Sequence, residues 1–284
     1  MMAELLSGKP IALKIKEELR RELARIPGKP KLVAVQIGKD KTSDLYLSKQ
    51  KKEAMLLGID HDVLTLSPSV SQEEAIRAIK GLNEDAGVTS IILEMPVPKI
   101  IDAKSLICAI DPIKDAECMH PANIGRILFG DEAIGPCTPM AVMELIKSSG
   151  ADLYGKEAVC IGHSDIVGKP LALMLLNKFA TTSICHIATA ERGMLKDYVN
   201  RAEVLVVAVG KPALIKGSWI KKGAIVVDVG INKEGDKIVG DVEFEEASKR
   251  ASFITPVPGG VGPLTTAMLM KNIVYLFKRQ REKQ

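Results

Sequence analysis

Aromatic residues are scarce: one Trp, four Tyr and five Phe make up 4% of 284 residues. That excludes a platform of rings on which nucleic-acid bases stack. Charge of one sign is scarce too. Lys and Arg number 39 against 35 Asp and Glu, a formal net charge of +4, too little for a nucleic-acid partner, although a local basic patch can hold a small anion. No apolar run reaches the ~18–20 residues of a membrane helix. The opening MMAELLSGKPIALKIK lacks the apolar core of a signal peptide, so the expectation is a cytoplasmic protein with no membrane partner. The cysteines (Cys108, Cys118, Cys137, Cys160, Cys185) are scattered singly without a C-x-x-C pair. Neither a zinc site nor a disulfide framework is indicated, and they read as buried reduced thiols. What is present, 46% hydrophobic and 26% charged residues, is an ordinary globular balance. At about 150 residues per domain the length suggests two domains.

Along the chain, strand and helix patterns alternate. Residues 10–26 repeat apolar positions at helical spacing and close on Pro27 and Gly28. KLVAVQIG (31–38) reads as a strand, and Ser43 to Gly58 as a helix with Leu45, Leu47, Ala54 and Leu57 on its apolar side. HDVLTL (61–66) alternates like a strand. SQEEAIRAIKGLNED (71–85) opens as a helix with a capping box of Ser71 and Glu74, and VTSIILEMP (88–96) is an apolar run. Segment 96–140, rich in Pro, breaks the rhythm and reads as a long loop with short helices; a domain boundary falls near Pro139. Strand patterns then resume at 156–162, 182–187, 202–210, 224–231 and 253–260, with helices at 167–179 and 264–283. The alternation predicts an α/β fold with a mainly parallel sheet. The Val- and Ile-rich strands of the second half predict burial on both sheet faces.

VCIGHSDIVGKP (159–170) places a polar turn between a strand ending at Gly162 and a helix beginning near Val167. Backbone N–H groups of such a turn point at the edge where an anionic cofactor binds. Ser164 stands where the middle glycine of G-x-G-x-x-G is usual. Two more strands ending in glycine, at Gly210 and Gly230, strengthen the dinucleotide reading, their ends lining one crevice.

VCIGHSDIVGKP, VVAVGKP, IVVDVGIN and ITPVPGGVGPLT, with PCTP (136–139) and LYLSKQKKEAMLLGI (45–59), resemble the bifunctional methylenetetrahydrofolate dehydrogenase/methenyltetrahydrofolate cyclohydrolase family over nearly the whole chain. The resemblance implies an N-terminal α/β substrate domain and a Rossmann-like cofactor domain, with the active site in the cleft between them. The folate-binding domain is expected at 1–138, completed by the last helix at about 266–284, and the NAD(P)-binding domain at 139–265. A homodimer built through the cofactor domains is implied as well. So are two reactions on one carbon: NADP-dependent oxidation of 5,10-methylenetetrahydrofolate, then hydrolysis of the methenyl product to 10-formyltetrahydrofolate. The implied substrate contacts are Tyr46, Glu117, Pro258, Gly259 and Gly260. The implied cofactor contacts are Gly162, His163, Ser164, Ile187, Gly230 and Ile231.

The sequence departs from the family pattern at three places. The family sets a Lys four residues after the Tyr, on one helix face; with Tyr46 as that Tyr, the Lys position holds Gln50. Lys49, three residues from Tyr46, is a possible substitute, and Lys49–Lys52 a candidate contact for an anionic folate tail. The family's Gln before L-P-L-P is Glu94 here, in LEMPVP. The family's KDVDG reads KDAEC, so Lys114 and Asp115 match while the pterin-binding Asp is Glu117 and the Gly is Cys118.

Hydride transfer needs positioning and no general base. Hydrolysis needs a proton acceptor, a role a Lys of lowered pKa can fill and a Gln cannot. Glu94, beside Met95 and Val97, is the replacement candidate if burial raises its pKa. The candidate catalytic residues are therefore Tyr46, Gln50 and Glu94. A single-function dehydrogenase, or a non-catalytic folate- or nucleotide-binding relative, stays open. His163 is the candidate contact for a 2′-phosphate, Ile187 offers none, and NADP is favoured while NAD remains possible. No histidine has metal-ligand spacing.

Overall fold

The computed structural model describes residues 2–39 and 41–282. Its first elements are β1 (Glu4–Leu5), α1 (Gly8–Leu23), β2 (Lys31–Ile37), α2 (Lys41–Leu57), β3 (Asp60–Leu66), α3 (Gln72–Glu84), β4 (Ser90–Leu93), α4 (Ala103–Ala109), α5 (Pro121–Leu128) and α6 (Cys137–Ser148). There follow β5 (Glu157–Ile161), α7 (Gly168–Asn177), β6 (Thr181–Cys185), α8 (Ile187–Glu191), α9 (Leu195–Arg201), β7 (Val204–Val207), β8 (Ile225–Asp228), β9 (Asn232–Glu234), β10 (Lys237–Val239), α10 (Phe244–Ala247), β11 (Phe253–Ile254) and α11 (Val261–Arg281).

Two compact units result. One holds Lys14–Arg126, Ala133–Gly135 and the chain from Leu269 onward. Its sheet has the order β3-β2-β4, all parallel. Val33, Val35, Ile91 and Leu93 bury one sheet face against Ala75 and Ile79 of α3 and Leu106 of α4. Each fully buried side chain of this size contributes about 2 kcal/mol. The capping box of α3 forms: Ser71 Oγ accepts from Glu74 N at 3.2 Å, and Glu74 Oε2 accepts from Ser71 N at 2.9 Å. In α2, Leu47, Ala54 and Leu57 are buried; the side chain of Leu45 lies outside the described residues.

The other unit holds the chain through Leu13, Ile127–Glu132 and Pro136–Met268. Its sheet runs β1-β11-β8-β7-β5-β6, every pair parallel. Strands β7 and β8 are buried along their whole length, and β5 from its second residue on, as both-face burial requires. Edge strand β6 is open at Thr181 and Ile184. The chain leaves β5 for β6 on one side and returns to β7 on the other, so the sheet reverses its direction of growth at β5.

Several boundaries differ from those the sequence suggests. The opening residues pack with the second unit because β1 pairs with β11, Glu4 opposite Phe253; the expected 1–138 block is not continuous. The apolar run 253–260 forms a strand only at Phe253–Ile254, since Pro256 and Pro258 cannot donate to a ladder. Helix α6 occupies part of the expected loop: Pro139 lies in its first turn, where the missing N–H costs nothing.

Candidate active site

In the first unit, α2 and the end of β4 bring two polar side chains together in an apolar setting. Gln50 Nε2 donates to Glu94 Oε1 at 2.9 Å. Gln50 is 7% exposed and Glu94 8%. Burial pushes the Glu94 carboxyl above its ordinary range, and the Gln50 hydrogen bond opposes that shift. Gln50 Oε1 is buried and finds no partner among the described residues. Tyr46, one turn earlier on α2, shares the face of Gln50 and is 52% exposed. Ser43 Oγ donates to the carbonyl of Met95 at 3.3 Å, tying the start of α2 to the turn after β4. Lys49, Lys51 and Lys52 are all exposed.

Segment 114–118 runs beside β4. Ile91 N donates to Lys114 O at 2.7 Å and Ala116 N to Ile91 O at 3.3 Å, which carries Glu117 toward Glu94. The Glu117 carboxyl is pushed up to about 8, first by burial and then by the charges of Glu94 and Asp115. Its two matching neighbours serve the framework. Lys114 Nζ donates to Leu82 O in the last turn of α3 at 3.0 Å and to Asp85 O just past its end at 2.7 Å. Asp115 Oδ2 accepts from His120 N at 2.8 Å and Asn123 Nδ2 at 2.9 Å. Cys118 is buried with φ +55°, a left-handed conformation that favours the glycine expected there. His120 Nδ1 accepts from Ala122 N at 3.1 Å. His61 is buried with neither ring nitrogen bonded among the described residues, and burial lowers its pKa.

In the second unit, the turn after β5 is closed by two contacts only glycine allows. A Cβ on Gly162 (φ +122°) would lie 2.3 Å from Ala208 O, and one on Gly168 would lie 2.0 Å from Gly162 O. Ser164 earns its place by local bonding: its Oγ accepts from Val167 N at 3.2 Å and its carbonyl from Lys169 N at 3.1 Å. This tight turn leads into the N-terminus of the ten-residue helix α7, a cradle that fits a dinucleotide phosphate. His163 stands beside His186, ring centroids 5.3 Å apart. Ile187, the first residue of α8, is 70% exposed, and Ile231 is exposed as well. Gly230 sits where a Cβ would come within 2.3 Å of Asp241 Cγ. In the PVPGG loop Pro258 is exposed, and Gly259 (φ +117°) accepts from Gly8 N at 3.0 Å. A Cβ on Gly8 would lie 1.9 Å from Gly260 O.

The turn after Gly210 differs from the sequence reading. Its amides are taken by a buried carboxylate of the same unit, Asp241: Val209 N, Gly210 N and Lys211 N all donate to it. The only local signal for Asp241 is the Gly-Asp pair after β10. Its partners lie about thirty residues earlier and leave no periodic trace.

A profile described as tetrahydrofolate dehydrogenase/cyclohydrolase, catalytic domain, matches residues 6–117. One described as the NAD(P)-binding domain of the same group matches residues 136–281. The chain is similar to the bifunctional protein FolD of Acetivibrio thermocellus, with 48% identity over 284 residues and 99% of each chain covered. Against the bifunctional protein FolD of Geotalea daltonii the identity is 45%, covering 98% of this chain and 100% of the relative. The crystal structure of FolD from Campylobacter jejuni has a TM-score of 0.93 at 42% identity, covering 98% of this chain and 99% of that one. The Trypanosoma brucei FolD structure, complexed with NADP cofactor and an inhibitor, has a TM-score of 0.93 at 39% identity, covering 99% of both.

Proposed function

The chain belongs to the tetrahydrofolate dehydrogenase/cyclohydrolase family, and on that footing we propose that it oxidises 5,10-methylenetetrahydrofolate with NADP and hydrolyses the methenyl product through Glu94 in place of a lysine. The observation that carries the second half is the buried Gln50–Glu94 hydrogen bond at 2.9 Å.

NADP, when bound, supplies the hydride acceptor. Gly162, His163 and Ser164, with the start of α7, hold its phosphates; Ile187, Gly230 and Ile231 line the cofactor site. Tyr46, Pro258, Gly259 and Gly260 position the folate. As hydride departs, the substrate nitrogen's own lone pair forms the C=N bond, so the protein supplies positioning and no base.

Hydrolysis makes a different demand. The Glu94 carboxylate takes a proton from water as the water oxygen bonds to the methenyl carbon. The remaining hydroxyl proton passes to N5 as the C–N5 bond breaks, leaving 10-formyltetrahydrofolate and one proton released from Glu94. Gln50 cannot titrate; it orients Glu94. Glu117, carrying its proton at neutral pH, offers the pterin an O–H where an Asp carboxylate only accepts.

The folate-binding part is assigned to 1–138 with 266–284, less the opening residues whose strand β1 joins the other sheet, and the cofactor part to 139–265 together with that strand. His163 beside His186 supports a 2′-phosphate contact and a preference for NADP over NAD. Open edge strand β6, with exposed Leu176 and the Tyr154 and Phe179 rings 5.7 Å apart, supports a homodimer formed through the cofactor half. The free thiols of Cys108, Cys160 and Cys185 support a cytoplasmic setting. Among the described residues no helix is long and apolar enough to cross a membrane.

The test is methenyltetrahydrofolate hydrolysis followed by ultraviolet absorbance in wild type, Gln50→Lys and Glu94→Gln, beside cofactor reduction with methylenetetrahydrofolate. Loss of enzyme-dependent hydrolysis in Glu94→Gln, with oxidation kept, is the expected outcome. The second reading, a single-function dehydrogenase, is favoured by the non-titrating Gln50; wild type with oxidation but no hydrolysis above background establishes it. A kcat/KM higher with NAD than with NADP overturns the cofactor assignment.

A further inference from the structure

Parallel sheets bind ligands at the carboxyl ends of their strands, beside the strand where growth reverses. Here that strand is β5, and the wall facing its glycine turn is the loop leaving β7: the missing Cβ of Gly162 would strike Ala208 O. Nothing covalent fixes that wall. What holds it is Asp241, fully buried. Its Oδ2 accepts from Val209 N at 2.7 Å and Gly210 N at 2.9 Å, and its Oδ1 from Lys211 N at 2.9 Å and Asn232 Nδ2 at 2.8 Å. Three consecutive amides therefore converge on one carboxylate, the arrangement by which backbone loops bind free anions.

Asp241 is itself fixed from β8. Its amide donates to Asp228 Oδ1 at 3.0 Å, and Asp228 also accepts from Gly230 N at 2.9 Å and Val242 N at 2.8 Å. Gly230 and Gly240 are the residues that permit this approach, since a Cβ on either would lie within 2.3 Å of an Asp carboxyl. Hydrogen bonds thus tie the loops after β7 and β8 to each other, with two carboxylates at the centre.

We propose that Asp241 is a positioning residue for cofactor binding: by saturating the amides of 209–211 it holds the β7 wall in shape and withdraws that wall from phosphate recognition, leaving the phosphates to the Gly162 turn alone. The inference rests on the reading of this unit as the NADP site.

The experiment measures NADP binding by calorimetry without folate, in wild type and Asp241→Asn, with steady-state oxidation alongside. Losing the charged acceptor for several N–H groups weakens NADP binding about tenfold or more. The KM for NADP rises in step, while kcat at saturating NADP and the KM for folate shift far less. A variant that is only destabilised lowers kcat through its active fraction and leaves both KM values in place. An unchanged Kd for NADP in the variant overturns the proposal. If Asp241→Asn does not fold, hydrogen exchange on wild type decides. The amides of Val209, Gly210 and Lys211 are expected to be protected before NADP is added and to gain little on binding; strong new protection there means they bind phosphate, and overturns the proposal. Wild type that binds no NADP removes the cofactor reading itself, and this inference with it.

Discussion

Asp228 and Asp241 in one unit and Glu94 and Glu117 in the other are carboxylates that differ in how many donors they meet. Asp228 and Asp241 accept three and four N–H groups. Glu94 accepts one, from a neutral amide, and Glu117 none among the described residues. A carboxylate surrounded by backbone donors gains most by keeping still, since every donor is lost if it moves. A carboxylate with one weak partner in an apolar setting holds its proton longer and can exchange it. Saturated carboxylates therefore build the frame, and undersupplied ones are free for chemistry. Even so, burial lifts Asp228 to about 6, short of the value of about 8 at Glu117.

The sharpest break in this contrast is Glu94→Gln. Removing a general base lowers hydrolysis about 10²–10⁴-fold, with oxidation changed only a few-fold and the urea midpoint not reduced. A fall in midpoint with hydrolysis intact would make Glu94 part of the frame. Asp228→Ala tests the opposite side: three buried amides lose their acceptor, at a cost of about 3 kcal/mol or more in unfolding free energy, read from denaturant melts.

Glu117 supplies a pH test. Its folded pKa of about 8 lies above the ordinary 4.5, so the folded state binds the extra proton. Its contribution to stability is fully present below about pH 4.5 and is lost as pH rises through about 8. Folate KM is expected to rise across the same upper limb and to become flat there in Glu117→Gln. Because the Glu94 charge helps hold Glu117 protonated, Glu94→Gln moves that limb to lower pH. The smallest effect is expected at Asn123→Ala, which removes one of two donors to Asp115: about 1 kcal/mol by denaturant melts, with activity kept.

Features written in local spacing were legible. The α3 capping box lies within four residues. Gln50 and Glu94 are singled out by the family resemblance rather than by spacing alone, and their side chains meet at 2.9 Å. The parallel fold followed from strand–helix alternation, and burial of β7 and β8 on both faces from their unbroken Val-rich runs. Features made by distant partners were not legible. Strand β1 is two residues long and acquires its identity from β11 at the far end of the chain. Asp241 looks like any acidic residue after a hairpin, and its function lies in amides of another loop. Helix α6 was hidden because Pro136 and Pro139 read as breakers, although a first turn accommodates proline.

The pairing of β1 with β11 sets an order of events during synthesis. Strand β1 adds to a strand made long after it, Leu5 opposite Ile254. At about 5–20 residues per second, the opening residues wait some tens of seconds before their partner exists. The sheet of the cofactor unit gains β1 only after β11 has been made, so a nascent chain stalled before β11 carries β1 undocked.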